Sequence, residues 1–526
     1  MVEYDYIIVG GGSSGCALAG RLAQNGERSI AVLEAGNRRW PSITAIPAAL
    51  LHTVGNKRYD WMYLSEPDPS RQDRIELWPR GLGPGGSGLI NGMIFVRGAP
   101  GDFDRWESLG AKGWGYKDVL PYFRRLEHSE IESDQHRGGF GPQSISKLRY
   151  VHPSTELFIR AAEAVGIPFT PDYNGPRQDG VSYTQAAQEG GRRHSPFDAF
   201  LAPALRSGAA QLIEGAHVAR VLFEGKKAVG VEYRSNGATH VIRARKLVVL
   251  SGGSINTPKL LMQSGIGEAG QLKAAGITPL FDSPEVGKNL MEHAGVFLRA
   301  AIDIPTLNQE STPIRKALAL AKWLGGRGPA TTTTAQALAF HRTLPGLDAP
   351  DVQIHFTAFG FTGPLETDPA QRLISVAPSV NHPRSRGEIR LRGNDPLAAP
   401  LILPRMLEDP EDLATLRRGV RLCGKILSAP PLAKHVTQII DAAPFNAPDD
   451  ELDDILRASA APLFHPVGTC RMGSDDKAVL TPDLLVRGVS GLAVADASIM
   501  PRHISGNTHA AALMIGEKAA DLFRTL

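Results

Sequence analysis

The opening segment, YDYIIVGGGSSGCALAGRLAQNGERSIAVLEAG (residues 4–36), constrains this chain more than any other. Tyr6 to Val9 reads as a buried strand. Ser14 to Asn25, with Leu18 and Leu22 at i,i+4 and Gly26 as a C-cap, reads as a helix. Ser29 to Glu34 reads as a second strand. Strand, glycine turn, helix and strand make a βαβ unit. Gly10, Gly12 and Gly15 permit a tight turn and close backbone approach to a pyrophosphate, which the helix N-terminus at Ser13 and Ser14 favours. Glu34, followed by Ala35, ends the second strand where a carboxylate accepts bonds from ribose hydroxyls and repels a 2′-phosphate. The unit serves NAD and FAD alike, so the motif does not choose between them.

Bulk properties narrow the partners. The 526 residues suit two domains or one composite unit, and the net charge of +3 is too balanced to predict nucleic acid or an anionic membrane as partner. No apolar run approaches a membrane span, and no extended hydrophobic segment offers itself for docking on a membrane. The N-terminus enters a strand at once, with nothing like an export signal ahead of it. Cys16, Cys423 and Cys470 are scattered and form no CxxC, so a cytoplasmic, reducing setting without metal is expected.

The rest of the chain separates the dinucleotides. A nicotinamide enzyme usually continues with βα units, whereas this chain enters loops rich in Gly, Pro, Trp and Arg. They include RGLGPGGSGLINGMIFVRG (80–98), GGSINTPKLLMQSGIG (252–267), HPVGTCRMG (465–473) and VADASIMPRHISGNTHAAALMIGEKAADL (494–522). With these motifs in this order, the chain resembles the glucose–methanol–choline (GMC) flavoprotein oxidoreductases from end to end. Gly253 to Gly267 fits one family signature throughout. Gly81 to Asn91 resembles the other but departs from it at Leu82 and Pro84.

The resemblance implies an α/β, Rossmann-like FAD-binding domain and an α+β substrate domain with an antiparallel sheet. The expected divisions are 1–297 for the FAD domain with excursions, 298–459 for the substrate domain, and 460–526 for the return. VQIHFTAFGF (352–361) and GEIRLRG (387–393) alternate like half-buried strands, and 410–427 reads as a helix. By resemblance, Arg80, Gly86, Ser87, Asn91, Gly92, Met93, Ile94, Val218, Asp496, Ala497, Asn507 and Thr508 join the βαβ residues around FAD. Ile90 stands where some members attach the flavin to a histidine, so FAD is expected to be non-covalent.

Oxidising an alcohol needs a base near neutral pH, which imidazole supplies. His465 matches the family's active-site histidine, and His509 is aligned with the second position, giving a His–His pair similar to that of glucose and aryl-alcohol oxidases. His503 reads as a loop or packing residue. Met93 and Phe464 suggest an apolar substrate pocket. The expected reaction is oxidation of a primary alcohol to an aldehyde, with electrons passed to oxygen. The alternatives are a dehydrogenase with a quinone-type acceptor and a GMC-fold lyase holding structural FAD.

Overall fold

The computed structural model describes residues 2–24, 29–38, 43–131, 135–362, 366–441 and 443–525. The expected C-cap Gly26 lies outside them. Two sheets organise the chain. The first runs in the order Ala210–Glu214, Ile30–Glu34, Glu3–Val9, Ala238–Leu250, Lys227–Ser235 and His217–Glu224. Its first four strands are parallel and the last two close an antiparallel meander. Leu492–Val494 adds in parallel beside the end of Ala238–Leu250.

The register of this sheet sets the site. Val9 lies between Leu33 and Leu250, and Leu250 pairs with Val494. The strands therefore stop level with one another and release Gly10, Glu34, Ser251 and Asp496 along one edge. In a doubly wound sheet this carboxyl edge is where ligands bind. The helix Ser13–Leu22 follows the glycine turn. It packs against the closing helix His509–Arg524, where a Cβ on Gly516 would stand 2.3 Å from the Ser14 carbonyl oxygen.

The second sheet is antiparallel. Its order is Val436–Ile439, Leu298–Ile302, Leu373–Val380, Val352–Thr357, Ala337–His341 and Gly180–Tyr183. It draws a strand from well before residue 298. Ala294–Gly295 pairs with Ala461–Pro462 across both expected divisions. The helix Pro410–Leu427 covers one face with Leu413, Leu416, Val420 and Cys423.

Two strand readings change. Val352–Thr357 is buried at every position, because its polar side faces an internal cavity and not water. Glu388–Arg390 joins only Leu401–Leu403 in a separate ribbon. Among the described residues, no helix is long and apolar enough to cross a membrane.

A buried ion cluster ties the two ends of the chain together. Glu517, fully buried on the closing helix, accepts from Arg21 Nε at 2.7 Å and Arg125 Nε at 2.8 Å. Glu517→Ala leaves Arg21 without its counter-charge in a mostly buried position. The expected loss is about 3–5 kcal/mol, read as a lowered denaturation midpoint at unchanged m-value.

Candidate active site

A cavity of about 1070 Å³ runs from the carboxyl edge of the first sheet to the polar face of the second. Ordinary ligand sites occupy roughly 300–1,000 Å³, so this one has room for a dinucleotide and a small second molecule. Gly10, Gly12, Ser13, Ser14, Glu34, Ala35 and Val218 line one end. Gly12 caps the helix without a side-chain bond, so the first amides of that helix face the cavity as anion donors. Gly15 does not line the cavity. A Cβ there would stand 2.0 Å from the Gly10 carbonyl oxygen, so its role is close packing of helix on turn.

The loop from Gly81 lies across this cradle. Gly85 N donates to Gly11 O at 2.7 Å and Gly83 N to Glu34 Oε1 at 3.1 Å. A Cβ on Gly86, whose φ is +54°, would stand 2.7 Å from Gly12 Cα. The amides around Pro84, those of Leu82, Gly83, Gly85 and Gly86, are all bonded inside the protein, and Pro84 is not among the residues lining the cavity. Arg80, Ser87, Gly92 and Ile94 also line the cavity. Asn91 is fixed by a partner the sequence did not disclose. Its Oδ1 accepts from Arg193 Nη1 at 2.7 Å and from Met93 N at 3.0 Å. Burial lowers the Arg193 guanidinium to about 9.

Asp496 serves as a brace at the cavity wall. It accepts from Gly253 N at 2.8 Å, Thr257 Oγ1 at 2.6 Å and Ser498 N at 2.8 Å, with Ala497 beside it. The helix amides as donors and the Glu34 carboxylate as acceptor form a set that fits the pyrophosphate and ribose of FAD.

At the far end stands His465, and its partners are not the expected ones. His465 Nδ1 lies 3.1 Å from His293 Nδ1, and its Nε2 lies 3.0 Å from Asn507 Nδ2. His509 instead contacts Ser13 Oγ through Nδ1 at 3.2 Å and lies against Gly88. His509 is the first residue of the closing helix, and that helix packs on Ser13–Leu22, which carries the ring towards the glycine turn. Asn507, before the helix and Thr508, takes the place beside His465. His503 is more than a packing residue. Its Nε2 donates to His465 O at 2.8 Å, and its ring lies on His293 with centroids 3.5 Å apart.

The hydrogen bonds fix the proton positions. His293 Nε2 faces two carbonyl oxygens, Asn381 O at 3.0 Å and Ile504 O at 3.2 Å. Carbonyls only accept, so Nε2 carries the hydrogen and Nδ1 of the neutral ring keeps its lone pair. His465 Nδ1 must then donate to it. That leaves a lone pair on His465 Nε2, directed to the Asn507 amide. Gln353 Nε2 donates to Asn507 Oδ1 at 3.1 Å, turning the Asn507 amide nitrogen towards His465. Burial among the other histidines and Arg80 holds His465 well below the ordinary imidazole value, so the ring is neutral. Glu292 Oε1 accepts from His465 N at 2.7 Å and His293 N at 2.9 Å.

Phe464 precedes His465 with φ +68°, and its carbonyl accepts from Arg80 Nη2 at 2.6 Å. Phe297, Phe359 and Phe361 complete an apolar wall, with Met93 buried behind. Sequence reasoning missed Arg193, Glu292, His293 and Gln353, each contributed by a segment without a motif.

Comparison with known proteins places this geometry. Two family models for GMC oxidoreductase match residues 4–295 and 383–516. The oxygen-dependent choline dehydrogenase of Rhizobium etli is 39% identical over 526 residues, covering 99% of this chain and 95% of the relative. Human mitochondrial choline dehydrogenase is 38% identical over 533 residues, covering 99% and 90%. Pyridoxine 4-oxidase from Mesorbium loti superposes with a TM-score of 0.89 at 29% identity over 99% of both chains. An Aspergillus oryzae formate oxidase variant gives 0.92 at 26%, covering 100% and 98%. A chain matched along this length, with the glycine cradle at one end of its cavity and a neutral histidine at the other, belongs to the GMC oxidoreductase family of FAD-dependent enzymes acting on CH–OH donors.

Proposed function

We propose that the protein oxidises a neutral primary alcohol, aliphatic or aromatic, to its aldehyde with His465 as base and oxygen as electron acceptor. The observation that carries this reading is the lone pair of His465 Nε2, held in the cavity beside the Asn507 amide by a chain of bonds through His293. FAD, when bound, supplies the hydride acceptor. His465 Nε2 takes the hydroxyl proton, and Asn507 Nδ2 donates to the oxygen on which charge develops. His293 holds the tautomer, and the phenylalanine wall excludes water.

A neutral substrate suits the charges on the walls. Glu34, Glu76, Asp441 and Asp496 line the cavity, and each is bonded within the protein. Asp441, near the phenylalanines, accepts from Arg299 Nε at 2.9 Å. None is spare to pair with the quaternary ammonium of choline, the substrate in the relatives' names. Support for oxygen is the fixed guanidinium of Arg80 beside the base. His509, bonded to Ser13 and lowered to about 4 by burial, adds no positive charge near neutral pH.

The purified protein should be yellow, and acid should release its flavin into the supernatant, because buried Ile90 offers no covalent ligand. Colour retained in the washed precipitate would contradict non-covalent binding.

Anaerobic reduction by alcohol tests the residue roles. His465→Ala should retain flavin and lose about 10²–10⁴-fold in reduction rate. Asn507→Ala should fall between it and the wild type, and His509→Asn should stay near the wild type. The depressed His465 value keeps the base neutral as pH falls, so the rate should hold through pH 6.5, where an ordinary imidazole is half protonated. A lyase would show no bleaching at all.

The alcohol-reduced protein, mixed with air-saturated buffer, should regain its colour within seconds and release peroxide. Recovery over many minutes, with a soluble quinone acting at once, would assign the quinone-type acceptor instead.

A further inference from the structure

The helix Pro313–Leu324 is amphipathic in an unusual sense. Its inner face is apolar, and so is most of its outer face. Ala319 and Trp323, one turn apart, are buried against Ala330, Ala45 and Ile46. The Trp323 indole donates to Gly191 O at 3.1 Å, so the helix is firmly seated. On the opposite side Ile314, Leu318, Leu320 and Leu324 are 76, 57, 44 and 70% exposed, with Ala317 and Ala321 exposed between them. At 100° per residue, these side chains share one outward arc. Among the described residues, nothing covers it.

Charge decides what could cover it. Arg315, Lys316, Lys322 and Arg327 flank the arc, and Arg192 lies over the Trp323 ring at 4.1 Å. Only Arg315 has an acidic partner among the described residues, Glu310 at 3.0 Å. A second copy packed here face to face would bring these cations against their own images. A sheet of anionic headgroups over apolar chains meets both features: the cations pair at the headgroup level while the leucines enter the acyl boundary. The whole-chain charge of +3 conceals this, because the cations are local.

The helix is also linked to the cavity wall through the segment it packs on. Ala45 and Ile46 pack beneath it, and the turn that follows supplies Leu50 and Leu51, then Val54, to the cavity wall. We infer that Pro313–Leu324 is a docking surface for an anionic lipid bilayer. The inference does not depend on the identity of the alcohol.

Co-sedimentation of the FAD-loaded protein with phosphatidylcholine vesicles, with and without phosphatidylglycerol, tests it. Binding should appear with phosphatidylglycerol and weaken at least tenfold without it. It should fall by a similar factor at high salt, in Lys316→Glu/Lys322→Glu and in Leu318→Ser/Leu324→Ser. Both variants should keep the melting temperature and the activity on a water-soluble alcohol. Equal binding to both vesicle types, or no binding, overturns the inference. So does light scattering that shows a dimer dissociated by Leu318→Ser/Leu324→Ser, since a second copy would then occupy the face.

Discussion

The carboxylate of Glu34 holds the cofactor end of the molecule together. Its Oε2 accepts from Gly11 N at 3.0 Å, and its Oε1 accepts from Gly36 N at 2.9 Å and Gly83 N at 3.1 Å. Those amides belong to the glycine turn, to the end of the second strand and to the long loop that crosses both. Burial penalises the charge and raises its pKa, while the three amides counter that cost. One acid thus fixes how closely the loop from Gly81 approaches the βαβ unit. That approach is possible only because Gly36 and Gly86 lack side chains: a Cβ on Gly36 would stand 2.3 Å from Gly83 N. With the loop in place, Arg193 can hold Asn91, and the wall of the cavity is set.

The opposite wall follows from the second sheet. On Val352–Thr357 the apolar side meets Pro410–Leu427, and Gln353, His355 and Thr357 point the other way. Alternation of this kind usually means that one face meets water. Here the polar face meets the site, and Gln353 uses its amide to orient Asn507 from the other domain's closing segment. The catalytic end is therefore assembled across two sheets. His465 and Asn507 come from the C-terminal return, and the groups that orient them from segments near residues 293 and 353.

This division explains what the sequence disclosed. The βαβ unit was legible because its periodicity and glycines are local, and the helix Pro410–Leu427 because its apolar stripe repeats over many turns. His465 was legible through its motif. His509 was misplaced because two polar residues so near a helix start cannot be told apart by pattern: a shift of two positions turns the side chain from the second sheet to the glycine turn. His293 and Arg193 carry no local signal at all. Each matters through a partner more than a hundred residues away, His465 and Asn91, and only tertiary packing makes that pairing. The outward leucines of Pro313–Leu324 carry no such signal, since a one-dimensional pattern does not say which of two apolar arcs is covered.

The electrostatics of the catalytic end point in one direction. His293, His465 and His503 are buried together, each pushed below the ordinary imidazole value by desolvation first; His503 lowers the other two further, and His465 lowers His293. Glu292, whose Oε1 accepts both histidine amides, is pushed up to about 8 by burial, so near neutral pH it mostly holds a proton. Among the described residues no carboxylate is bonded to the His465 ring, and Arg80 opposes its protonation. The protein keeps His465 neutral, fixes its lone pair by geometry and leaves compensation of any transient charge to what occupies the cavity. Desolvation thereby favours the unprotonated nitrogen, the form able to accept a proton.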